Sequence, residues 1–139
     1  MIPLTGLHRI QMPLEVTCAL IINHQNQTLA AQRSQAMSLP LKWEFPGGKI
    51  EPGETAEDCL IREIREELNI EISIIKVLPS NTHTYPKITI ELIPFICEHT
   101  SGEIILKEHA QYKWLHKNEL LALDWADADV PIVKHYLNL

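Results

Sequence analysis

Three glutamates on one side of a single predicted helix constrain this chain more than any other feature. Glu63, Glu66 and Glu67 have the spacing i, i+3 and i+4, which brings their side chains together on an α-helix. Their like charges repel by roughly a few tenths of a kcal/mol per pair unless a cation neutralises them. Clustered carboxylates behind a loop are what Mg²⁺ or Mn²⁺ prefers, commonly together with phosphates. The pattern therefore predicts a metal-dependent site for phosphate chemistry.

The helix that carries these acids has sequence signals at both ends. Pro52 and Gly53 predict a turn before it, and Thr55 followed by Asp58 three residues later fits a capping box. Asn69 suits the left-handed residue that closes a helix. Apolar residues repeat at helical spacing and predict a stripe that faces the core, made of Leu60, Ile61, Ile64 and Leu68.

A solvated, glutamate-rich surface helix is the alternative explanation of the acidic cluster. Three features favour a site instead: the glycine-rich loop before the helix, the helix cap, and Arg62. This arginine is adjacent to Glu63 and one turn before Glu66, so its guanidinium is suited to orient a carboxylate. The sequence therefore favours a functional site.

The same residues resemble the Nudix box, the signature of the Nudix hydrolase family. The fixed positions of the box are matched by Gly48, Glu54, Arg62, Glu63, Ile64, Glu66, Glu67 and Ile70. Asn69 stands where the family usually has glycine, and asparagine tolerates the same backbone conformation. The preceding segment WEFPGGKIE, residues 43–51, resembles the MutT-like branch, the nucleoside triphosphate pyrophosphohydrolases. This resemblance extends from about Leu14 to Tyr136.

The resemblance implies an α/β (α+β) Nudix fold, with a mixed, curved β-sheet sandwiched between helices. It implies an enzyme that uses Mg²⁺ or Mn²⁺ to hydrolyse a nucleoside triphosphate to the monophosphate and pyrophosphate. DNA repair through sanitation of the nucleotide pool, or nucleotide salvage, is the role that goes with this activity. Two alternatives stay open: an enzyme acting on another nucleoside diphosphate derivative, and a non-catalytic nucleotide-binding module. The complete set of box carboxylates argues against the second.

The resemblance also implies roles for individual residues. The metal ligands would be the backbone carbonyl of Gly47 and the carboxylates of Glu63, Glu66, Glu67 and Glu108. Glu66 is the first candidate for the general base, with Glu108 as the alternative. Arg62 completes the catalytic set, and Glu54 is expected to stabilise the loop or the surroundings of the metal.

Substrate contacts are expected from a second group of residues. Arg33 and Lys49 match phosphate-contacting positions, although both are also explained as ordinary surface charges. Asp129 matches the position from which MutT-like enzymes read the base edge, and a helix cap is its alternative role. Phe45, Lys87 and Leu121 are expected to line the same pocket. An acidic acceptor favours bases with an N–H or amine, so oxidised guanine and cytidine nucleotides both stay open.

Composition limits the class of protein and its partners. With 139 residues and 45% hydrophobic content, residues 1–139 are expected to form a single Nudix hydrolase domain, with 1–12 as an N-terminal extension. The net charge of −6, without a basic block, disfavours a nucleic acid polymer as partner. Three scattered cysteines indicate buried thiols in a reducing, cytoplasmic setting. We see no signal peptide or membrane span, and expect a monomer or homodimer. The seven histidines lack metal-ligand spacing and are interpreted as surface or strand residues.

Periodicity and turn residues predict the remaining elements. Strands are expected at residues 15–22, 28–32, 43–45, 49–51, 70–78, 88–97, 103–106 and 112–115. Short helices are expected at 117–123 and 130–137, after the helix that carries the box. The polar stretch 80–87 is expected to be a connection, and Gly47 and Gly48 are expected to form a turn between two strands.

Overall fold

The computed structural model describes residues 12–139, so all but the last residue of the expected N-terminal extension lies outside the described part of the chain. The strands are β1 Leu14–Ile22, β2 Thr28–Gln32, β3 Trp43–Glu44, β4 Gly47–Lys49, β5 Glu71–Val77, β6 Asn81–Thr84, β7 Thr89–Ser101 and β8 Gln111–Leu115. The helices are α1 Ala56–Leu68, a 3₁₀ helix Lys117–Ala122, and α2 Val130–Leu137. The assignment of 1–139 to a single domain stays a prediction.

All eight strands belong to one mixed sheet. Its central order is β3-β2-β1-β7-β5, and β4, β6 and β8 pair with β1, β7 and β2 respectively. The long strands β1 and β7 run parallel, with Leu14 opposite Ile90 and Ile22 opposite Glu98. The other strand pairs are antiparallel. A parallel pair at the centre explains why β1 reads as a nearly continuous apolar run, since both of its faces are covered.

The helices lie on opposite faces of the sheet. Cys18 and Leu20 of β1 belong to a core cluster with the buried side chains of α2. Ala19 and Ile21 belong to a second cluster with the apolar stripe of α1. Alternate side chains of β1 therefore point into two different cores, one on each face of the sheet. The sheet is sandwiched between helices, as expected.

The predictions for the last helix and for the cysteines are confirmed. Helix α2 has the predicted bounds, and Pro131 lies in its first turn. The segment 117–122 is helical but 3₁₀ rather than α. The three cysteines, Cys18, Cys59 and Cys97, are free and buried. Within residues 12–139, no helix is long and apolar enough to cross a membrane.

The glycine pair was assigned wrongly. Gly47 and Gly48 form part of β4 instead of a turn, and they pair with Cys18 and Thr17 of β1. A Cβ atom on Gly47 would lie 2.0 Å from the Thr17 carbonyl oxygen. Close contact between two strands, not turn geometry, is therefore what requires glycine here.

Two other segments also differ from the prediction. The expected connection contains β6, whose polar residues alternate between half-buried and exposed positions as they pair with β7. The expected strand at 103–106 is absent among the strands of residues 12–139. Instead, this part of the chain bonds to the end of α1. The Ile105 N–H donates to the Leu68 carbonyl, and the N–H of Lys107, just after the segment, donates to the Glu67 carbonyl. Neither outcome is visible in local periodicity.

Candidate functional site

Helix α1 begins and ends as the sequence predicts. The N-cap Thr55 accepts a hydrogen bond from the Asp58 N–H through its Oγ1, at 3.1 Å. Asn69 has a φ of 63° and donates its N–H to the Arg65 carbonyl, at 3.1 Å. Asparagine therefore adopts the left-handed conformation that a glycine would adopt at this position.

One guanidinium, that of Arg62, holds together a carboxylate of the loop before α1 and two carboxylates of the helix itself. Arg62 donates to both oxygens of Glu54, from Nε at 3.0 Å and from Nη2 at 2.6 Å. Its Nη1 donates to Glu63 at 2.9 Å and to Glu66 at 3.2 Å. Hydrogen bonds from Arg62, and then from the Glu51 backbone, lower the pKa of Glu54 to about 2. Arg62 thus orients box carboxylates and ties them to the preceding loop.

The glycines allow the helix to approach β4 closely. A Cβ atom on Gly48 would lie 2.2 Å from Cδ of Glu63, so the missing side chain leaves room for this carboxylate. The Gly48 carbonyl accepts a hydrogen bond from Thr17 Oγ1 at 3.1 Å, which fixes the strand on which Glu63 rests. Glu63 is therefore packed against backbone rather than projecting into solvent.

Glu67 is the carboxylate that most needs a partner. Its Oε2 is enclosed and has no hydrogen-bond partner among the described residues. Burial raises the pKa of Glu67 to about 9, and the nearby Glu44, Glu63 and Glu108 carboxylates add to the effect. A divalent cation would relieve this by pairing with the ionised form, and oxygen ligands suit Mg²⁺. The donor set therefore fits a hard divalent metal.

The residues expected to hold the metal do not converge on one point in the described part of the chain. Within residues 12–139, no three His, Cys, Asp or Glu side chains converge on one point. Arg62 draws the Glu63 and Glu66 carboxylates towards itself, and the Glu66 side chain is 61% exposed. Glu108 is exposed in the loop before β8.

A cavity of about 520 Å³ lies beside the box and contains most of the expected substrate residues. Its wall is largely apolar, with Ile88, Ile90 and Leu92 of the β6–β7 hairpin among its members. Of the residues that the resemblance singles out, Arg33, Phe45, Gly47, Glu67, Lys87 and Asp129 line it. Lys49 does not line the cavity and its side chain is exposed. Leu121, which is 62% exposed, also lies outside, so its assignment to the pocket is wrong.

Asp129 faces the cavity rather than capping a helix. Its side chain makes no capping bond to α2. Instead, its Oδ2 accepts a hydrogen bond from the Phe45 N–H at 2.9 Å. Burial raises the pKa of Asp129 well above its ordinary value, and the nearby Glu44 adds to the effect. The carboxyl therefore accepts a backbone hydrogen bond in the wall of the cavity, where burial favours its protonated form.

Two polar residues at the cavity, Glu44 in its wall and His109 in contact with Glu44, are not predicted from the sequence. Glu44 accepts a hydrogen bond from Arg33 Nη1 at 2.7 Å on one oxygen and contacts His109 Nε2 at 2.8 Å through the other. The His109 side chain is 1% exposed, so its interpretation as an ordinary surface or strand histidine is wrong. The sequence carries one signal for a special role of Glu44: this acid lies between two aromatic residues, Trp43 and Phe45, in a predicted strand.

Arg33 is a structural contact as well as a cavity residue. Its Nε donates to the Ser38 carbonyl at 2.6 Å, and its Nη2 donates to the Ser38 hydroxyl at 2.9 Å. Together with the Glu44 contact, these bonds tie the loop after β2 to β3. With 18% of its side chain exposed, Arg33 is not a free surface charge.

Comparison with known proteins identifies the family. The NUDIX domain model matches residues 12–136. The CTP pyrophosphohydrolase of Escherichia coli (strain K12) is 32% identical over 126 residues, which cover 91% of this chain and 93% of that protein. The 8-oxo-dGTP diphosphatase of the same organism is 31% identical over 120 residues, covering 86% and 93%. The solution structure of the E. coli ORF135 protein superposes with a TM-score of 0.83 at 31% identity, covering 99% of this chain and 94% of that one.

These matches agree with the geometry described above. The box residues of α1 and β4 lie together, and the mixed sheet between helices is the fold expected from the resemblance. Both the expected family and the expected fold class are confirmed. The chain belongs to the Nudix family.

Proposed function

We propose that this protein is a Mg²⁺-dependent nucleoside triphosphate pyrophosphohydrolase of the MutT type, which releases the nucleoside monophosphate and pyrophosphate. The observation that carries the proposal is one cavity that joins Gly47 and Glu67 of the box region to the buried carboxyl of Asp129. A volume of about 520 Å³ suits a small-molecule ligand such as a nucleotide. The similarity to a CTP pyrophosphohydrolase and an 8-oxo-dGTP diphosphatase supports the same reaction class. We assign it to nucleotide-pool sanitation or salvage in the cytoplasm.

The metal would be held by the Gly47 carbonyl and by the carboxylates of Glu63, Glu66, Glu67 and Glu108. When bound, Mg²⁺ neutralises phosphate charge and lowers the pKa of a coordinated water. The enclosed oxygen of Glu67 supports this assignment, because nothing else within residues 12–139 satisfies it. The raised pKa of Glu67 reflects burial beside other carboxylates, an effect that a bound cation would offset.

Hydrolysis needs a base and an oriented water. Glu66 is our first candidate for the base, since it is accessible and Arg62 contacts only one of its oxygens, Oε2. Glu66 would take the proton of a water that attacks an internal phosphorus. The phosphoanhydride bond between the α- and β-phosphorus atoms would break, so that the nucleoside monophosphate and pyrophosphate separate. Glu108 is the alternative base. Arg62 has a positioning role, because it holds Glu54, Glu63 and Glu66 at once.

Substrate binding divides between phosphate and base. Lys87 and the remaining N–H groups of Arg33 would contact phosphate from the cavity wall. Lys49 is a weaker candidate for this role because it lies outside the cavity. Asp129 would read the base edge through its buried carboxyl, beside the ring of Phe45. Cytosine and oxidised guanine both offer complementary edges.

A substrate panel tests the proposal. The full chain is incubated with Mg²⁺ and with CTP, dCTP, dGTP, 8-oxo-dGTP, a nucleoside diphosphate sugar or a dinucleotide, and both products are measured. We expect pyrophosphate and monophosphate in equal amounts from at least one triphosphate. Release of orthophosphate alone, or turnover of the diphosphate derivatives only, would overturn the proposal. Binding without any product would indicate a non-catalytic module.

A further inference from the structure

One hairpin holds both polar groups of the Ala128 backbone. Tyr85 lies in the turn between β6 and β7, where its N–H donates to the Ile88 carbonyl at 2.8 Å. Its hydroxyl oxygen accepts a hydrogen bond from the Ala128 N–H at 3.0 Å. Asn81 of β6 donates through Nδ2 to the Ala128 carbonyl at 3.2 Å. Two side chains of the β6–β7 hairpin therefore clamp one residue in the segment before α2.

The clamped residue immediately precedes Asp129, and its carbonyl belongs to the peptide that joins the two. On the opposite side, β3 holds the same segment, because the Ala126 N–H donates to the Trp43 carbonyl at 2.8 Å. The Asp129 carboxyl also accepts the Phe45 N–H. The carboxyl is thus fixed from two directions, and the hairpin provides one of them.

Tyr85 and Asn81 differ in their access to the cavity. The side chain of Tyr85 lines the cavity, whereas Asn81 is not among the residues of its wall. Burial raises the pKa of Tyr85 above its ordinary value, so its hydroxyl stays protonated over the working pH range. An effect of Asn81 on a ligand in the cavity must therefore pass through the backbone that it holds.

We propose that Tyr85 and Asn81 are positioning residues that set the base selectivity of the cavity by clamping Ala128 and thereby fixing the Asp129 carboxyl. The proposal rests on the proposed function, in which Asp129 faces the base. Since both side chains act on the backbone of one residue, removing either contact loosens the same segment. Their effects are therefore expected to be less than additive.

The test is a double-mutant cycle of Tyr85→Phe and Asn81→Ala in the full chain with Mg²⁺. kcat and KM are measured for CTP, dCTP, dGTP and 8-oxo-dGTP, together with Tm. Each single variant is expected to reduce the kcat/KM ratio between the preferred and the least preferred substrate by roughly three- to tenfold, mainly through KM. The double variant should lose little more than one single variant. Tyr112→Phe, on an exposed tyrosine outside the cavity, is the matched control and should keep the wild-type ratio.

Three results would overturn the clamp. Wild-type selectivity in Asn81→Ala would mean that Tyr85 acts by direct contact with the substrate. Fully additive losses would mean two independent roles. An equal loss of turnover for every substrate, accompanied by a lower Tm, would mean a general structural role. Asp129→Ala separates this proposal from its premise, because unchanged selectivity in a variant without a polar side chain at this position would refute base reading by Asp129 itself.

Discussion

Two regions of this molecule hold carboxyl groups in opposite ways. In the box region, Arg62 contacts Glu54, Glu63 and Glu66, and the pKa of Glu54 is lowered to about 2. Beside β3, Asp129 is buried, accepts one backbone N–H, and its pKa is raised. The first region pairs its acids with a guanidinium, and the second buries its acid against a backbone N–H.

The difference matches two kinds of ligand. Charged carboxylates oriented by a guanidinium suit a metal ion and a polyphosphate, whose charges they can balance. A buried carboxyl in an apolar wall suits an uncharged base edge, which needs directional hydrogen bonds rather than charge. Glu67 lies in the box region by sequence, but burial raises its pKa to about 9, and burial also raises the pKa of Asp129. A bound cation would therefore shift Glu67 from its protonated form to its ionised form.

The largest expected effect comes from a substitution in the box region. Glu66→Gln preserves the shape of the side chain and removes its ability to accept a proton. We expect the variant to fold with a Tm near that of the wild type, because this side chain is 61% exposed. Turnover should fall by about 10²- to 10⁴-fold, the usual contribution of a general base.

The matched control for this variant is Glu57→Gln, an exposed glutamate in the first turn of the same helix. It should retain wild-type kcat, since the same charge is removed away from the acidic cluster. A wild-type rate in Glu66→Gln would exclude this residue as the base, and Glu108→Gln would then be the variant to measure.

The next largest effect distinguishes the roles of the two adjacent glycines of β4, one in stability and the other in activity. A Cβ atom on Gly47 would meet the Thr17 carbonyl at 2.0 Å, where only the backbone can move. Gly47→Ala should therefore destabilise the fold by about 2–4 kcal/mol in chemical denaturation.

Gly48→Ala is the matched comparison, because its new Cβ would meet the end of the flexible Glu63 side chain at 2.2 Å. The carboxylate can swing away, so stability should change by less than about 1 kcal/mol while activity falls roughly tenfold or more. Equal stability losses in the two variants would contradict this account of why both positions are glycine.

The same contrast explains what the sequence reveals. The box region is contiguous in the chain, so the cap at Thr55, the closing residue Asn69 and the position of Arg62 beside its carboxylates follow from spacing on one helix. The family, the fold class and the exact range of α2 were accessible for similar local reasons. The β4 assignment failed because strand contact with Thr17, a long-range property, decides it.

The base region depends on contacts between distant segments. Glu44 and His109 are 65 residues apart, and Phe45 and Asp129 are 84 apart. No local period indicates that a histidine before β8 is buried against a strand far earlier in the chain. The polar strand β6 is missed for a different reason, because it pairs with the neighbouring β7 without an apolar run of its own.

The smallest expected effect concerns pH and the loop before α1. The pKa of Glu54 in the folded protein is about 2, below its ordinary value of 4.5, mainly because Arg62 donates to it. A lowered folded pKa means that the ionised group stabilises the fold above pH 4.5, and that this contribution is lost as the pH falls towards 2. Glu54→Gln removes the charge at every pH. Its Tm deficit relative to the wild type should therefore be constant from pH 7 to 5 and shrink below pH 4.5. Glu57→Gln, at a glutamate outside the Arg62 ion pairs, should show no such convergence, and a Glu54→Gln deficit that grows in acid would refute the Arg62 ion pair as its cause.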